Sequence, residues 1–220
     1  MKKITLVFMI GLLSFSFSKV QAQSEKSIEL APMVGYQFGG HLYFYEGDFR
    51  IDNAMNYGMY ANILVRQDHR IEFGYSVMPS TAEFIVEPYF SGDFRSWRGD
   101  VDVHYFLLGS HSEYHASESV ILFGGVSLGA TWYAAGDIRY LDSNKPAPID
   151  VMVRFAMGVT GGMKIMFSER VGIRLQGRLL MPTYFAGVGF YVGTGGSGLS
   201  LNAGSVMFQG DFQGGLVFSL

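Results

Sequence analysis

Cysteine is absent from the 220-residue chain. That rules out a disulfide framework and any thiolate zinc site. Charge is scarce too: 16% of the residues are Asp, Glu, Lys or Arg, against about 25% in soluble globular domains. The 16 Lys and Arg are outnumbered by 19 Asp and Glu, a net charge of -3, which leaves no basic footprint for nucleic acid. Long apolar runs are missing beyond the N-terminus, which excludes a bundle of membrane helices, each needing roughly 18 or more such residues. What is present is apolar: 49% hydrophobic and 15% aromatic, far from a disordered composition. Glycine is abundant, at 29 residues, nearly twice the usual share of about 7%. The hydrophobicity must therefore be distributed in some pattern other than long runs.

The N-terminus reads as an address. Lys2 and Lys3 precede a mostly apolar stretch from Thr5 to Phe17, and Val20-Gln21-Ala22 supplies a small-residue cleavage site. Those are the parts of a secretory signal peptide. The expected organisation is a signal peptide over residues 1–22 and one barrel domain over 23–220. The removed piece carries Lys2, Lys3 and Lys19 and no acid, so the exported form is three units more negative.

Beyond it, apolar and polar residues alternate at period 2, the period of a β-strand. Eight stretches do this: Ile28 to Phe38, Asn56 to Arg66, Arg70 to Met78, Trp97 to Gly109, Val120 to Tyr133, Val151 to Met166, Val171 to Met181 and Met207 to Leu220. Short connections such as Gln67-Asp68-His69 and Phe167-Ser168-Glu169 alternate with long ones. Outer-membrane barrels have that rhythm, with short periplasmic turns and longer extracellular loops. The segment Ser110 to Ser119, which contains His111-Ser112-Glu113-Tyr114-His115, is expected to be one of the turns.

The second face of each strand decides which way the barrel is turned. It is rich in small residues, among them Ala31, Gly35, Gly58, Gly74, Gly125, Ser127, Gly129, Ala156 and Gly158. Such residues suit the crowded lumen of an eight-stranded barrel and make a poor solvated exterior. The expected fold is all-β, an eight-stranded antiparallel up-and-down transmembrane β-barrel with its apolar face toward lipid. By parity the lumen receives Glu29, Arg66, Glu72, Arg98, Asp100, Asp102, His104, Arg154, Lys164, Arg174, Arg178 and Asp211. Their near balance of sign suits a salt-bridged plug, because a lone buried charge is costly. In the stretch from Trp97 the outward set is then Trp97, Val101, Val103, Tyr105 and Leu107. Tyr36, Phe38, Tyr57, Tyr75, Trp97, Trp132 and Phe155 are expected in an interfacial aromatic girdle.

At this point the sequence resembles the eight-stranded outer-membrane barrels of the OmpA/OmpX type, in the broad outer membrane protein beta-barrel domain grouping. The carriers are Leu122-Phe123-Gly124-Gly125-Val126-Ser127-Leu128-Gly129, Val171-Gly172-Ile173-Arg174-Leu175 and Gln213-Gly214-Gly215-Leu216-Val217-Phe218-Ser219-Leu220. The last stretch is similar to the assembly signal of such barrels, ending in Leu220 where an aromatic is common, with Phe218 two residues earlier. The resemblance implies insertion by the barrel-assembly machinery into outer-membrane lipid, loops outside and both mature termini in the periplasm. It implies architecture and not activity.

Candidate chemistry is sparse. Asp100, Asp102 and His104 share one face at steps of about 6.8 Å. Groups of that kind serve a barrel protease when gathered near the rim, but a salt-bridge network with Arg98, Arg154, Arg174 or Arg178 accounts for them better. His111, Glu113 and His115 have zinc-ligand chemistry without a preset geometry, and a polar turn is the better reading. Gly193 to Gly198 lacks the Lys and helix of a phosphate loop. No catalytic residue, metal or cofactor is expected.

The long connections hold Tyr43, Phe44, Tyr45 and Phe49, then Phe84, Tyr89 and Phe90, then Tyr140, then Tyr184, Phe185, Phe190 and Tyr191. They are either strand extensions with cross-strand aromatic packing or a rim that binds a protein or ligand. Tyr43, Tyr45, Phe49, Tyr89, Phe90, Tyr184 and Phe185 are the candidates for that rim. The expected role is non-catalytic, structural or interactive. A small pore or an accessory subunit of a transport or secretion assembly is the alternative, and a barrel enzyme acting on lipid or protein is third.

Overall fold

The computed structural model describes residues 28–90, 95–147, 152–193 and 196–220, with backbone alone for residue 90, residues 184–193 and residues 196–205. The expected signal peptide lies outside the described residues. Eleven strands run in chain order: β1 (Ile28–Gln37), β2 (His41–Tyr43), β3 (Gly47–Ile51), β4 (Ala54–Arg66), β5 (His69–Val86), β6 (Trp97–His115), β7 (Val120–Tyr140), β8 (Met152–Met166), β9 (Val171–Gly193), β10 (Gly196–Val206) and β11 (Gln209–Ser219). Eight of them close a ring. Each pairs antiparallel with its chain neighbour in the ring, and β1 seals it by pairing with β11, from Glu29 opposite Ser219 to Gln37 opposite Asp211. Closure leaves the ring without an edge, which a bilayer requires. The other three strands stand at one end: the β2–β3 hairpin pairs onto β5, and β10 pairs onto β9.

The three short turns and both described termini share the opposite end. Two of the turns are built alike. In Ala116-Ser117-Glu118-Ser119 the Ser117 hydroxyl accepts from the Val120 N–H at 3.1 Å. In Phe167-Ser168-Glu169-Arg170 the Ser168 hydroxyl accepts from the Val171 N–H at 3.1 Å. A serine oxygen at that place substitutes for a missing ladder partner. In the third, Asp68 takes a φ of 61°, which a short polar side chain tolerates, and the register shifts by a residue between Leu64 and Arg66.

The long connections are largely strand, the first of the two readings they allowed: β5, β7 and β9 run on to Val86, Tyr140 and Gly193, so the ring continues past the expected girdle as a projection. Two expectations are corrected. His111 to His115 is not a turn but the end of β6, and the turn follows it. Most consequential, β6 has the opposite face inside. Val101, Val103, Tyr105 and Leu107 are buried in the barrel, while Asp100, Asp102, Phe106 and Leu108 are on the exposed side of the strand.

The reason lies in the length of β6. At its turn end His111 and Glu113 are buried among charged partners, which fixes odd residues inside. Toward its loop end the interior is filled by apolar side chains and the outer side carries Asp100 and Asp102, so the rule of apolar outside and polar inside no longer holds.

Candidate functional site

The lumen is filled in three layers. The layer nearest the turns is ionic. Lys164 and Arg174 are fully buried and Glu29 is 2% exposed. The Lys164 ammonium bonds both Glu29 and Glu113. Arg70 places Nη2 3.0 Å from Glu29 and Nε 2.8 Å from Glu113. Arg174 donates to Glu72 at 2.6 Å. With its amide turned to suit its neighbours, Asn62 donates to Glu72 at 2.8 Å and accepts from Arg174 at 2.9 Å. His111 stands between the two acids, 4.0 Å from Glu72 and 3.7 Å from Glu113. The Arg174 guanidinium also lies 4.4 Å from the centre of the Phe123 ring and 5.3 Å from that of Tyr60, within cation–π range.

The middle layer is mostly neutral and hydrogen-bonded. Arg178 forks onto Asp211, with Nε at 3.0 and 3.1 Å from the two oxygens, and reaches Ser76 at 3.2 Å. Asn56 donates to Asp211 at 2.7 Å and to Gln37 at 3.2 Å. The Tyr60 hydroxyl and the Gln176 amide both donate to Gln213 at 2.7 Å, and Tyr105 donates to Gln209. Tyr60 crosses the lumen because glycines make room: a Cβ on Gly58 or Gly74 would come within 2.8 or 2.9 Å of its ring.

The loop-side layer is apolar. Leu42, Ile51, Met78, Ala82, Val101, Val103, Tyr105, Leu107, Tyr133, Ala156, Leu180 and Met207 form one cluster, with Phe49 and Trp97 packed on it. Leu42 and Ile51 come from the β2–β3 hairpin, which thus lids the barrel. Among the described residues the buried ions that pair across the lumen are Glu29, Glu72, Glu113 and Asp211 against Arg70, Lys164, Arg174 and Arg178, four of each sign, with Arg154 a further, half-buried base at the loop-ward level. A buried ion set persists only when so balanced and hydrogen-bonded.

Of the charges placed in the lumen by parity, Glu29, Glu72, Lys164, Arg174, Arg178 and Asp211 meet there. Arg154 faces inward opposite Thr131 at the loop-ward level. The others require correction. Arg66 is exposed at the end of β4, beyond the register shift. Arg98, Asp100 and Asp102 lie on the outer side of β6, for the reason of phase given above. Arg98 there approaches Asp52 at 3.4 Å and Glu83 at 3.8 Å. His104 also faces out: its Nδ1 is 3.0 Å from the Tyr75 hydroxyl, and its ring stacks on Trp132 at 4.5 Å. Arg70, His111 and Glu113 were not among the expected members. The signal for Arg70 was available, since it shares the face of Glu72, whereas His111 and Glu113 were hidden by the assignment of their segment to a turn.

Tyr36, Phe38, Tyr57 and Phe155 are exposed outward. Tyr75 and Trp132 join Phe106 and His104 in one outward stack, with Phe106 4.8 Å from Tyr75 and 4.7 Å from Trp132. Trp97 is the correction in this set: it sits above the belt between Phe49 at 6.0 Å and Phe84 at 6.3 Å, as the inverted phase of β6 dictates.

At the loop end Phe49 is drawn into the lid, whereas Tyr43, Tyr45 and Tyr89 are solvent-exposed. The side chains of Phe90, Tyr184 and Phe185 lie outside those described. Among the described residues the outer faces and tips of the projection carry nine acids (Glu46, Asp48, Asp52, Glu83, Glu87, Asp100, Asp102, Asp137 and Asp142) and five bases (Arg50, Arg95, Arg98, Arg139 and Lys145). Arg95 donates to Asp142 at 2.9 Å, and that hydrogen bond holds the Asp142 carboxyl below its ordinary pKa. Among the described residues no group of three His, Cys, Asp or Glu side chains has the arrangement of a metal site.

No family model and no curated protein matches the sequence. Solved structures do match. The outer membrane protein OprG from Pseudomonas aeruginosa aligns with a TM-score of 0.59 at 8% identity, over 89% of this chain and 96% of that one. Neisserial surface protein A, NspA, aligns with a TM-score of 0.50 at 11% identity, over 88% and 97%. Identities this low speak to fold alone. A closed eight-strand ring, an exposed apolar outer wall and these structural likenesses together give the chain the fold of the eight-stranded outer-membrane β-barrels.

Proposed function

We propose that the protein is a non-catalytic barrel of the outer membrane, its lumen a plug and its loop-end projection an interaction surface. The single observation behind this reading is the filling of the lumen: a balanced ionic layer, a hydrogen-bonded layer and an apolar layer lidded by β2–β3. A selective pore favours a water-filled passage and a ring of one charge sign, and neither matches that filling. The short turns and both termini belong on the periplasmic side and the long projection outside, in keeping with the loop asymmetry of such barrels. Outer-membrane lipid and the barrel-assembly machinery are the partners this placement requires.

The absence of catalysis is supported by the dispersal of Asp100, Asp102 and His104. They descend the outer side of one strand, and His104 is occupied by Tyr75 and Trp132. A nucleophile, base and orienting group within mutual reach is what catalysis would need.

The test is conductance of the purified protein in planar bilayers. The plug predicts no steady current. Sustained ion-selective openings overturn it and move the assignment to a small pore. A stoichiometric partner co-purifying after gentle solubilisation moves it instead to an accessory subunit of a transport or secretion assembly.

A further inference from the structure

At the loop end β3 and β5 finish side by side, Gly47 opposite Val86. The Glu87 N–H donates to the Glu46 carbonyl at 3.0 Å, so the two carboxylate-bearing residues are held as neighbours across the strand pair. Around them are Tyr43, Tyr45 and Tyr89, exposed to 73%, 81% and 89%. The Tyr43 ring lies 4.1 Å from that of His41, yet all three tyrosines leave most of their surface to solvent. Large exposed aromatic surface of this kind marks contact sites. Among the described residues neither Glu46 nor Glu87 has an ion pair, whereas Asp52, Glu83, Asp137 and Asp142 each have one.

We infer that this tip docks a cationic, Lys- or Arg-rich segment of a partner protein. The proposal rests on the loop end being the interaction surface and names the partner's chemistry. Two arguments select that occupant. The first is sign: nine acids against five bases on the projection attract cations and repel anionic headgroups and glycans. Ammonium and guanidinium groups pair with the two carboxylates and also sit favourably on tyrosine faces. The second is height. Val86 is eleven residues beyond the girdle residue Tyr75. That is about 37 Å along the strand, or about 28 Å above the girdle at a tilt of ~40°. A headgroup layer of roughly 5–8 Å is left far below, so the tip meets macromolecules and not the lipid surface.

The experiment is fluorescence anisotropy of a labelled oligolysine peptide titrated with the full protein in detergent micelles, with oligoglutamate and a neutral glucan oligosaccharide as comparison probes. Saturable oligolysine binding is expected, weakening as salt rises because exposed charges are screened within about 10 Å at 0.1 M. The double variant Glu46→Gln/Glu87→Gln should weaken it by about fivefold or more. The triple variant Tyr43→Ala/Tyr45→Ala/Tyr89→Ala should weaken it by about tenfold or more. Asp100→Asn/Asp102→Asn, which removes the same charge lower on the projection, should change it by less than about twofold. Unchanged heat-modifiable gel migration certifies that each variant is a folded barrel.

Absence of saturable binding overturns the assignment, as does equal loss in the two acidic double variants, which reports a diffuse field and not the tip. Salt-independent binding of the glucan in place of oligolysine overturns it in favour of a glycan. Failure here with the barrel still closed to ions sinks this proposal alone. Steady conductance with oligolysine still bound sinks the plug alone.

Discussion

Lys164 is shut away from solvent. Its ammonium is fully buried and shared by Glu29 and Glu113, and Arg70 bridges the same two acids from the other side. Removing the ammonium leaves two buried carboxylates with one base, and breaking a buried pair costs far more than the pair contributes. Lys164→Met should therefore destabilise the barrel by about 3–5 kcal/mol, read from the urea midpoint of its heat-modifiable migration. Gly74 is the steric counterpart. A Cβ there would lie 2.9 Å from the ring of Tyr60, which is hemmed in by the lumen and held by Gln213. Gly74→Val should cost about 1–3 kcal/mol as an overpacked core does, and Tyr60→Phe should leave Gln213 with one donor fewer without clashing. A neutral Gly74→Val in the same urea series would mean that Tyr60 is free to leave its crossing position.

At the scale of the element, β6 is the instructive strand. Seven of the eight ring strands place the residues the alternation assigns to lipid on the exposed side, as with Val34, Tyr57, Phe73, Val126, Val153, Leu175 and Phe212. In β6 both faces carry apolar residues, Val101, Val103, Tyr105 and Leu107 on one and Phe106 and Leu108 on the other. Local pattern alone then has two solutions one residue apart, and a one-residue slip exchanges the faces wholesale. Neighbouring strands settle it, through the cross-lumen bonds of Glu113. The natural lack of cysteine makes this directly measurable. In a background with no competing thiol, Asp102→Cys should react readily with a membrane-impermeant maleimide and Val103→Cys should not. The reverse order would return β6 to the opposite phase. The two serine turns are a second element-scale feature, and their sequences, Ser117-Glu118-Ser119-Val120 and Ser168-Glu169-Arg170-Val171, display the hydroxyl that closes each one.

The whole molecule divides by environment. Its buried ion pairs lie inside the ring, where they are screened little by salt, and its exposed pairs and surplus acids lie on the projection, where they are screened strongly. Raising salt from about 50 to about 500 mM should thus leave the unfolding midpoint nearly unchanged while abolishing attraction of a cationic probe to the tip. A midpoint that falls steeply with salt would mean that the ionic layer is open to water, against the burial of Lys164 and Arg174. The barrel and the projection share strands but not a solvent, and the charge distribution follows that boundary.

Sequence by itself determined the architecture. Period-2 alternation, the rhythm of short and long connections, small residues on one face and the balance of charge there all follow from local chemistry that any strand in a bilayer must satisfy. It also determined most of the ionic lumen, since Glu29, Glu72, Lys164, Arg174, Arg178 and Asp211 needed only the parity of their strands. The tertiary structure decided where the membrane rules stop. Strands longer than the bilayer pass from lipid into water and from a polar lumen into an apolar lid. Phase, membership of Arg70, His111 and Glu113 in the network, and the position of Trp97 depend on contacts between strands far apart in the chain. Those contacts exist only once the ring has closed, because alternation along a strand records two faces but not what each face will meet.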